Sequence, residues 1–234
     1  MAMQITRRGF LKGAAAGAAA AAVAPALAID SEADLHWDRS ADLVVIGYGN
    51  AGCNAAIEAA DAGASVLILE KMGQGGGNVS VSAGGFVVPT DKKEYFTYLK
   101  TLYELSRSEW DEQILRVFCE ESAELPAYFA RLAPEAKIAV YGHAGYQQLP
   151  GAGSVNKMSL RNVPGKKGGD RLFGVLARAV EKRGVPVLLN TPAKRLIVRK
   201  GEVVGVEAEQ KEKTLRIRAN KAVLIASGGF QCNP

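Results

Sequence analysis

The chain has 234 residues, is 48% hydrophobic and carries a formal charge of +5. That length and apolar content suffice for one large core or two small ones. Arg7, Arg8 and Lys12 supply +3 of the charge within a first stretch of 28 residues that holds no acid, and the mixed-charge remainder has no aromatic-basic patch, which argues against a nucleic-acid partner. Two histidines, His36 and His143, and three scattered cysteines without a C-x-x-C pair leave no zinc or c-type haem motif, so no metal ligand is assigned.

The first element is an address. Thr6-Arg7-Arg8-Gly9-Phe10-Leu11-Lys12 is a twin-arginine signature, followed by an Ala/Gly run from Gly13 to Val23 and the small-x-small sequence Ala26-Leu27-Ala28. The run is too short and interrupted for a stable membrane span. We expect a signal peptide over residues 1–28, cleaved after Ala28, and export of a folded protein to the periplasm or the outside of the cell envelope, with no integral membrane segment left after cleavage. Residues 29–40 are polar and acidic and read as a linker, with Trp37 placed to pack on the edge of the domain that follows.

From Asp42 to Lys71 the sequence spells a strand, a turn, a helix and a second strand. Leu43 to Ile46 is a continuous apolar run, as in a parallel strand buried on both faces. Gly47, Gly49 and Gly52 form G-x-G-x-x-G at the start of an Ala-rich helix that stops at Gly63, and Ser65 to Leu69 lead into Glu70. In such a unit the first glycine permits the tight turn, the second lets backbone approach a pyrophosphate, and the third lets helix pack on strand. The helix N-terminus offers free N–H groups and partial positive charge to phosphates. Glu70 stands where a ribose would be bound. This unit predicts a dinucleotide.

Lys71 to Phe86 contains six glycines, three of them consecutive at Gly75-Gly76-Gly77. Asn78, Ser80 and Ser82 alternate with Val79 and Val81, so an extended segment would line one side with polar groups. Glu70-Lys71, then Gly76-Gly77-Asn78, then Ser82-Ala83-Gly84-Gly85 resembles the FAD-binding domain of the fumarate reductase and succinate dehydrogenase flavoprotein superfamily. That group includes soluble flavocytochrome c fumarate reductases, urocanate reductases and 3-ketosteroid dehydrogenases. The resemblance implies that Gly47, Gly49, Asn50, Ala51, Gly52, Glu70 and Lys71 hold the ADP half of FAD. It implies that Gly76, Gly77, Asn78, Ser82, Gly84 and Gly85 approach the pyrophosphate, ribityl and isoalloxazine. Membrane-bound relatives carry a flavin-linked histidine where this chain has Asn78, so the resemblance implies non-covalent FAD.

Residues 91–107 and 111–132 have helical spacing, with Ile114, Leu115, Phe118, Cys119, Ala123 and Leu125 on the apolar side of the second and Pro126 at a kink. Residues 133–169 read as a long loop, where Tyr141, His143, Tyr146, Lys157 and Arg161 are polar candidates for a site near the flavin. Gly168-Gly169-Asp170-Arg171 opens a helix with Leu172, Val175, Leu176, Ala179 and Val180 on one face. A strand over Val185–Leu189 and a pair over Arg195–Arg199 and Val203–Glu207 follow; the resemblance places adenine against the backbone near Ala193. Lys221 to Ile225 is a last buried strand, and the resemblance brings Ala226, Ser227 and Gly228 at its end to the pyrophosphate.

The expected fold is therefore α/β, a Rossmann-like FAD-binding domain over residues 41–234 with a parallel sheet flanked by helices and an inserted β-meander. The resemblance implies a capping domain and a return segment that these residues lack, so the domain is expected to be incomplete at its C-terminus. The implied activity is hydride transfer between flavin and an enoate-type C=C or C–C bond of a small-molecule substrate. A separate electron donor, such as a cytochrome or quinol-linked protein, is implied with it. A ketosteroid dehydrogenase is the alternative enzyme, and a non-catalytic FAD-binding fragment the alternative of another class. No catalytic residue is assigned.

Overall fold

The structure is a computed structural model that describes residues 26–29, 35–166 and 168–229; the twin-arginine motif and the residues after Gly229 lie outside them. The strands are β1 (Leu27–Ile29), β2 (Arg39–Ile46), β3 (Val66–Leu69), β4 (Gly85–Pro89), β5 (Lys137–His143), β6 (Val155–Arg161), β7 (Val187–Leu188), β8 (Ala193–Arg199), β9 (Glu202–Gln210) and β10 (Lys213–Ile225). The helices are α1 (Asn50–Asp61), α2 (Gly77–Val81), α3 (Lys92–Ser106), α4 (Glu112–Ala123), α5 (Leu125–Leu132) and α6 (Gly168–Lys182). Seven strands form one sheet in the order β1-β8-β9-β10-β2-β3-β7, and β4-β6-β5 form a second.

The four strands β10-β2-β3-β7 are mutually parallel, so their C-terminal ends share one edge. Alternation along them fills both faces. Val45, Val66 and Ile68 join a core with α1, α5 and α6, while Val44, Leu67 and Leu69 pack with Val206, Ala208, Ile217 and Ala219 of the meander. A strand buried on both sides reads as a continuous apolar run, which is why Leu43 to Ile46 is legible as one. The helix α6 buries the five apolar residues its periodicity marks, and each of its leucine and valine side chains removed from water contributes about 1.5–3 kcal/mol.

Strand β10 serves two units. Lys213–Arg218 pair antiparallel with β9, and Ile217–Ile225 pair parallel with β2 across an irregularity between Ala219 and Ala222. Both meander turns place two residues at positive φ, Lys200-Gly201 and Lys211-Glu212, as two-residue hairpins require. The second has no glycine or asparagine to announce it, so β9 and β10 are longer than their sequence signals.

Three further differences have physical reasons. Residues 133–169 are not a long loop: β5 and β6 lie within them and pair with β4, which itself emerges from the glycine-rich stretch. Their alternation is masked by glycines, lysines and a bulge at Tyr141. Pro126 does not kink one helix but separates two, standing in the first turn of α5 where its missing N–H costs nothing. On α4, Leu115 and Cys119 are buried whereas Ile114 and Phe118 are exposed.

The linker boundary also moves. Strand β2 begins at Arg39 and not at Leu43. Trp37 packs on the backbone of Gly205, where a Cβ would lie 2.6 Å from the indole ring. Residues Leu27–Ile29, which include Ala28 before the expected cleavage point, pair in parallel with Ile197–Arg199 of β8.

Candidate functional site

The site begins at the shared C-terminal edge of β10, β2 and β3. Gly47 follows β2 with φ +112, and a Cβ there would lie 2.4 Å from the Ala226 carbonyl oxygen. The chain after β10 is hydrogen-bonded against this turn, Ala226 N–H donating to the Ile46 carbonyl at 2.8 Å. Gly52 lies in the first turn of α1, where a Cβ would stand 2.0 Å from the Gly47 carbonyl oxygen. Gly49 differs. It is the N-cap of α1, and the nearest atom to a Cβ built on it is the Gly76 carbonyl oxygen at 3.8 Å. Two glycines are thus demanded by the protein's own atoms, and the third leaves open space in front of a helix end.

That helix end is prepared for negative charge. Gly49 gives no side-chain cap, the first turn has no acid, and Asn50 and Ala51 are exposed. The first N–H groups of a helix have no intrahelical partner and carry the positive end of the dipole. On the far side Ser227 and Gly228 are exposed after β10.

Glu70 closes the next side. Its carboxylate accepts from Tyr48 N–H and from Met72 N–H, each at 2.9 Å, one per oxygen. Both oxygens keep acceptor capacity. The carbonyl of Glu70 accepts from Thr191 N–H at 2.8 Å, and the Met72 carbonyl from Asn190 N–H at 2.9 Å. These bonds bring the β7–β8 connection, and Ala193 at the start of β8, alongside Glu70.

The glycine-rich stretch is not extended. Gly77–Val81 form the short helix α2, preceded by Gly76 at φ +107. At helical pitch Ser80 leaves the side that Asn78 and Ser82 share. Ser80 Oγ donates to the Gly77 carbonyl, and Ser82 Oγ donates to the Val79 carbonyl while accepting from Gly84 N–H. The serines therefore shape the loop, and Asn78 is exposed. Gly76 N–H donates to the Tyr48 carbonyl at 2.8 Å, which ties the loop to the first glycine turn.

The polar candidates of the middle section separate. Tyr141, the bulged residue of β5, brings its hydroxyl to Gly85, where it would lie 1.9 Å from a Cβ. His143 pairs with Asn156, three rungs along β6 from the Ser159–Gly85 pair, and its Nδ1 lies 3.1 Å from Asn156 Oδ1. Tyr146 and Arg161 are exposed, and Lys157 lies opposite Val87 and Gly142. Only Tyr141 of this set reaches the glycine loop. Sequence reasoning missed Tyr48 and the start of α6, whose Gly168 and Gly169 interlock with Gly84; such contacts join segments that no spacing rule links.

The two cysteines among the described residues are buried. Cys53 on α1 is fully buried and its thiol is pushed up to about 12 by burial; Cys119 is raised to about 11 for the same reason. Among the described residues no three His, Cys, Asp or Glu side chains gather as a metal site would require, and no helix is long and apolar enough to cross a membrane.

Parallel strands with an uncapped helix end, an acid just past the next strand and an open glycine between them define a dinucleotide-binding βαβ unit. A sequence profile for the FAD binding domain matches residues 42–233, so the chain belongs to that family, and its cofactor is FAD. A second profile, for the twin-arginine translocation signal, matches residues 4–24, and the chain is exported by that pathway to the periplasm or cell envelope. The chain is 34% identical over 218 residues to an NADH:fumarate oxidoreductase of Klebsiella pneumoniae, covering 89% of this chain and 22% of that protein. It is 32% identical over 246 residues to the acrylate reductase flavoprotein subunit of Shewanella woodyi, covering 97% and 47%. Among solved structures, a 3-ketosteroid-Δ4-(5α)-dehydrogenase from Rhodococcus jostii RHA1 superposes with a TM-score of 0.75 at 24% identity, over 89% of this chain and 49% of that one. An open flavocytochrome c3 fumarate reductase gives 0.70 at 24% identity, over 97% and 37%. The chain thus spans between about a fifth and a half of the length of these four proteins.

Proposed function

We propose that this chain is the cofactor-binding part of an exported flavin oxidoreductase that reduces an activated C=C bond of a small enoate. The observation that carries it is the fit between the open N-terminus of α1 and the family to which the chain belongs, together with relatives that act on fumarate and acrylate. In this reading the N–H groups after Gly49, at Asn50, Ala51 and Gly52, hold the pyrophosphate. Glu70 accepts the ribose hydroxyls with the acceptor capacity its two backbone bonds leave, and Lys71 stands beside it. The backbone at Ala193 lies toward adenine. Gly76, Gly77, Asn78 and Ala226 to Gly228 flank the pyrophosphate, and Ser82, Gly84 and Gly85 lead toward the ring system. When bound, the flavin supplies the hydride chemistry, and the protein supplies binding, orientation and exclusion of water.

Asn78 offers no nucleophile for a flavin bond, so FAD is held non-covalently and heat or acid releases it from the polypeptide. Flavin retained on the denatured chain would count against this. Cleavage of the signal after Ala28 separates Leu27 and Ala28 from β8, and N-terminal sequencing of exported protein reads the new end directly. Electrons arrive from a separate redox partner of the cytochrome or quinol-linked kind.

The test is a visible spectrum of the purified chain followed by oxidation of reduced viologen. Flavin bands with turnover on fumarate, acrylate or urocanate establish the reductase. Turnover with a 3-ketosteroid and an artificial acceptor would instead favour the dehydrogenase reading, which the 29% identity to a 3-oxo-5-alpha-steroid 4-dehydrogenase of Comamonas testosteroni supports. Flavin without turnover on either substrate would make the chain a binding unit alone.

A further inference from the structure

The loop that faces Gly49 is held from behind by two aromatic rings. Tyr48 and Phe173 meet edge to face with centroids 5.3 Å apart and planes at 76°. Gly75 lies between them, where a Cβ would come within 2.2 Å of Tyr48 Cδ1 and 2.7 Å of Phe173 Cζ. Phe173 also stands 3.2 Å from the Cβ position of Gly76. The backbone of Tyr48 works in both directions, its N–H donating to Glu70 and its carbonyl accepting from Gly76 N–H.

The far end of the loop is fixed by the same helix. Gly169 N–H donates to the Ser82 carbonyl at 3.1 Å. A Cβ on Gly84 would lie 2.1 Å from the Gly168 carbonyl carbon, and one on Gly168 would lie 1.8 Å from the Ala83 carbonyl oxygen. Phe173 is four residues beyond Gly169, so one face of α6 meets both ends of the loop. The serine bonds of the loop are local, and beside the single Gly76 N–H to Tyr48 carbonyl bond it is the two rings that hold the loop against the start of α1.

We infer that Phe173 and the ring of Tyr48 are positioning residues for FAD, a clamp that seats Gly75–Gly77 opposite Gly49 before the cofactor arrives. The inference rests on FAD being the cofactor. A preset wall spares the ordering of the loop on binding and so raises affinity. Tyr48 sits beside Glu70 and the start of α1, whereas Phe173 acts from the loop side of the gap, behind Gly75 and Gly76. ADP meets the loop only at the phosphates beside Gly76 and Gly77 and keeps α1 and Glu70, whereas FAD runs on along Ser82, Gly84 and Gly85, so loss of the clamp falls more on FAD. A cavity of about 690 Å³, lined by Tyr48, Gly75, Gly174, Arg178, Glu181 and Leu189, lies against the clamp and gives a released ring room to move.

The test is a titration of the cofactor-free chain with FAD, read by flavin fluorescence, alongside ADP binding by calorimetry and the thermal midpoint of the apo chain. Phe173→Ala should weaken FAD by about tenfold or more and ADP by less than about threefold, as expected for lost preorganisation. It should also alter the visible circular dichroism of the flavin that remains bound, while Tyr48→Phe and Phe173→Leu should stay near wild type. Gly75→Ala wedges the same rings apart, and in combination with Phe173→Ala it should lose no more than the worse single variant, since both act on one contact. Should Phe173→Ala fail to fold, Gly75→Ala carries the same comparison of FAD with ADP. Equal losses for FAD and ADP, unchanged FAD affinity, or additive losses in the double variant would each overturn the clamp. A wild-type chain that binds ADP and not FAD would instead overturn the cofactor itself.

Discussion

The two walls of the cofactor gap are both lined with glycine, yet they are built over different distances. At the α1 wall, Gly52 is excluded from bearing a side chain by the carbonyl of Gly47, five residues earlier, and Gly47 by the carbonyl of Ala226 on the neighbouring strand. At the loop wall, Gly84 is excluded by Gly168, and Gly75 by rings at positions 48 and 173. The Gly52 contact is a property of a βαβ unit and would form in any chain that folds one, whereas the Gly47 contact also needs β10 paired beside β2. The loop wall exists only once α6 has packed, so it reports on the assembled domain. In the proposed reading the α1 wall holds the ADP half, and the loop wall is where positioning can be tuned or lost.

The largest way to break the comparison is Gly52→Val. With a carbonyl oxygen 2.0 Å from the Cβ position, α1 must lift from β2. The change combines overpacking with loss of the helix end, and the apo chain should lose about 3–5 kcal/mol or fail to fold. Thermal denaturation followed by circular dichroism measures it, and a midpoint within a few degrees of wild type would refute the packing role.

Gly84→Ala comes next. It meets both a positive φ of +66 and the Gly168 backbone at 2.1 Å, and the expected loss is about 2–3 kcal/mol. Because only the loop and the start of α6 are involved, amide exchange should accelerate at residues 82–85 and 168–170 and remain slow in β2 and β3. Uniform acceleration would mean that the two walls are not separable.

The legibility of the molecule in its sequence follows the same division. Gly52 and Glu70 could be placed because each answers a neighbour within one supersecondary unit, and Gly47 and Gly49 because their motif lies within it, although their contacts reach Ala226 and Gly76. The buried face of α6 was readable because its period is helical from Leu172 to Val180. Strands β5 and β6 were not, since their alternation is broken at Tyr141 and their partner β4 is drawn from a stretch that reads as glycine loop. The turn at Lys211-Glu212 carries no glycine although both residues sit at positive φ. Phe173 falls outside the stripe that the helical period marks, and only the packed structure shows its ring against Gly75.

A third test is indifferent to both walls and calibrates them. Asp61 at the end of α1 accepts from Arg183 at 2.7 and 2.8 Å and from Arg131, joining α1 to the segment after α6 and to α5. The Arg183 hydrogen bonds hold its carboxyl below the ordinary value of 3.8. A lowered folded value means that its contribution is complete above the ordinary range and is lost as pH falls through it. With about a third of the side chain exposed, solvent screening limits the effect, and Asp61→Asn should cost about 1 kcal/mol at neutral pH. The gap between variant and wild type should close on acidification below pH 4; a constant difference down to pH 2 would show that the charge is not what matters.

The smallest effect on the fold, and the sharpest on the cofactor, belongs to Gly49→Ala. Its φ of −105 is open to any residue, and the nearest atom to the new methyl is an oxygen at ordinary contact distance, 3.8 Å. Alanine is a slightly poorer N-cap than glycine but reduces the freedom of the unfolded chain, and the two effects offset to within about 0.5 kcal/mol. The apo midpoint should therefore barely move. The methyl nevertheless occupies the open side of the helix end, where backbone must approach a pyrophosphate. ADP and FAD affinity should fall together, by about tenfold or more, since the obstructed group is common to both. That pattern is the reverse of the one set out for Phe173→Ala, which spares ADP. A Gly49→Ala chain that bound ADP normally would place the pyrophosphate elsewhere and remove the reason for reading the space before α1 as the cofactor gap.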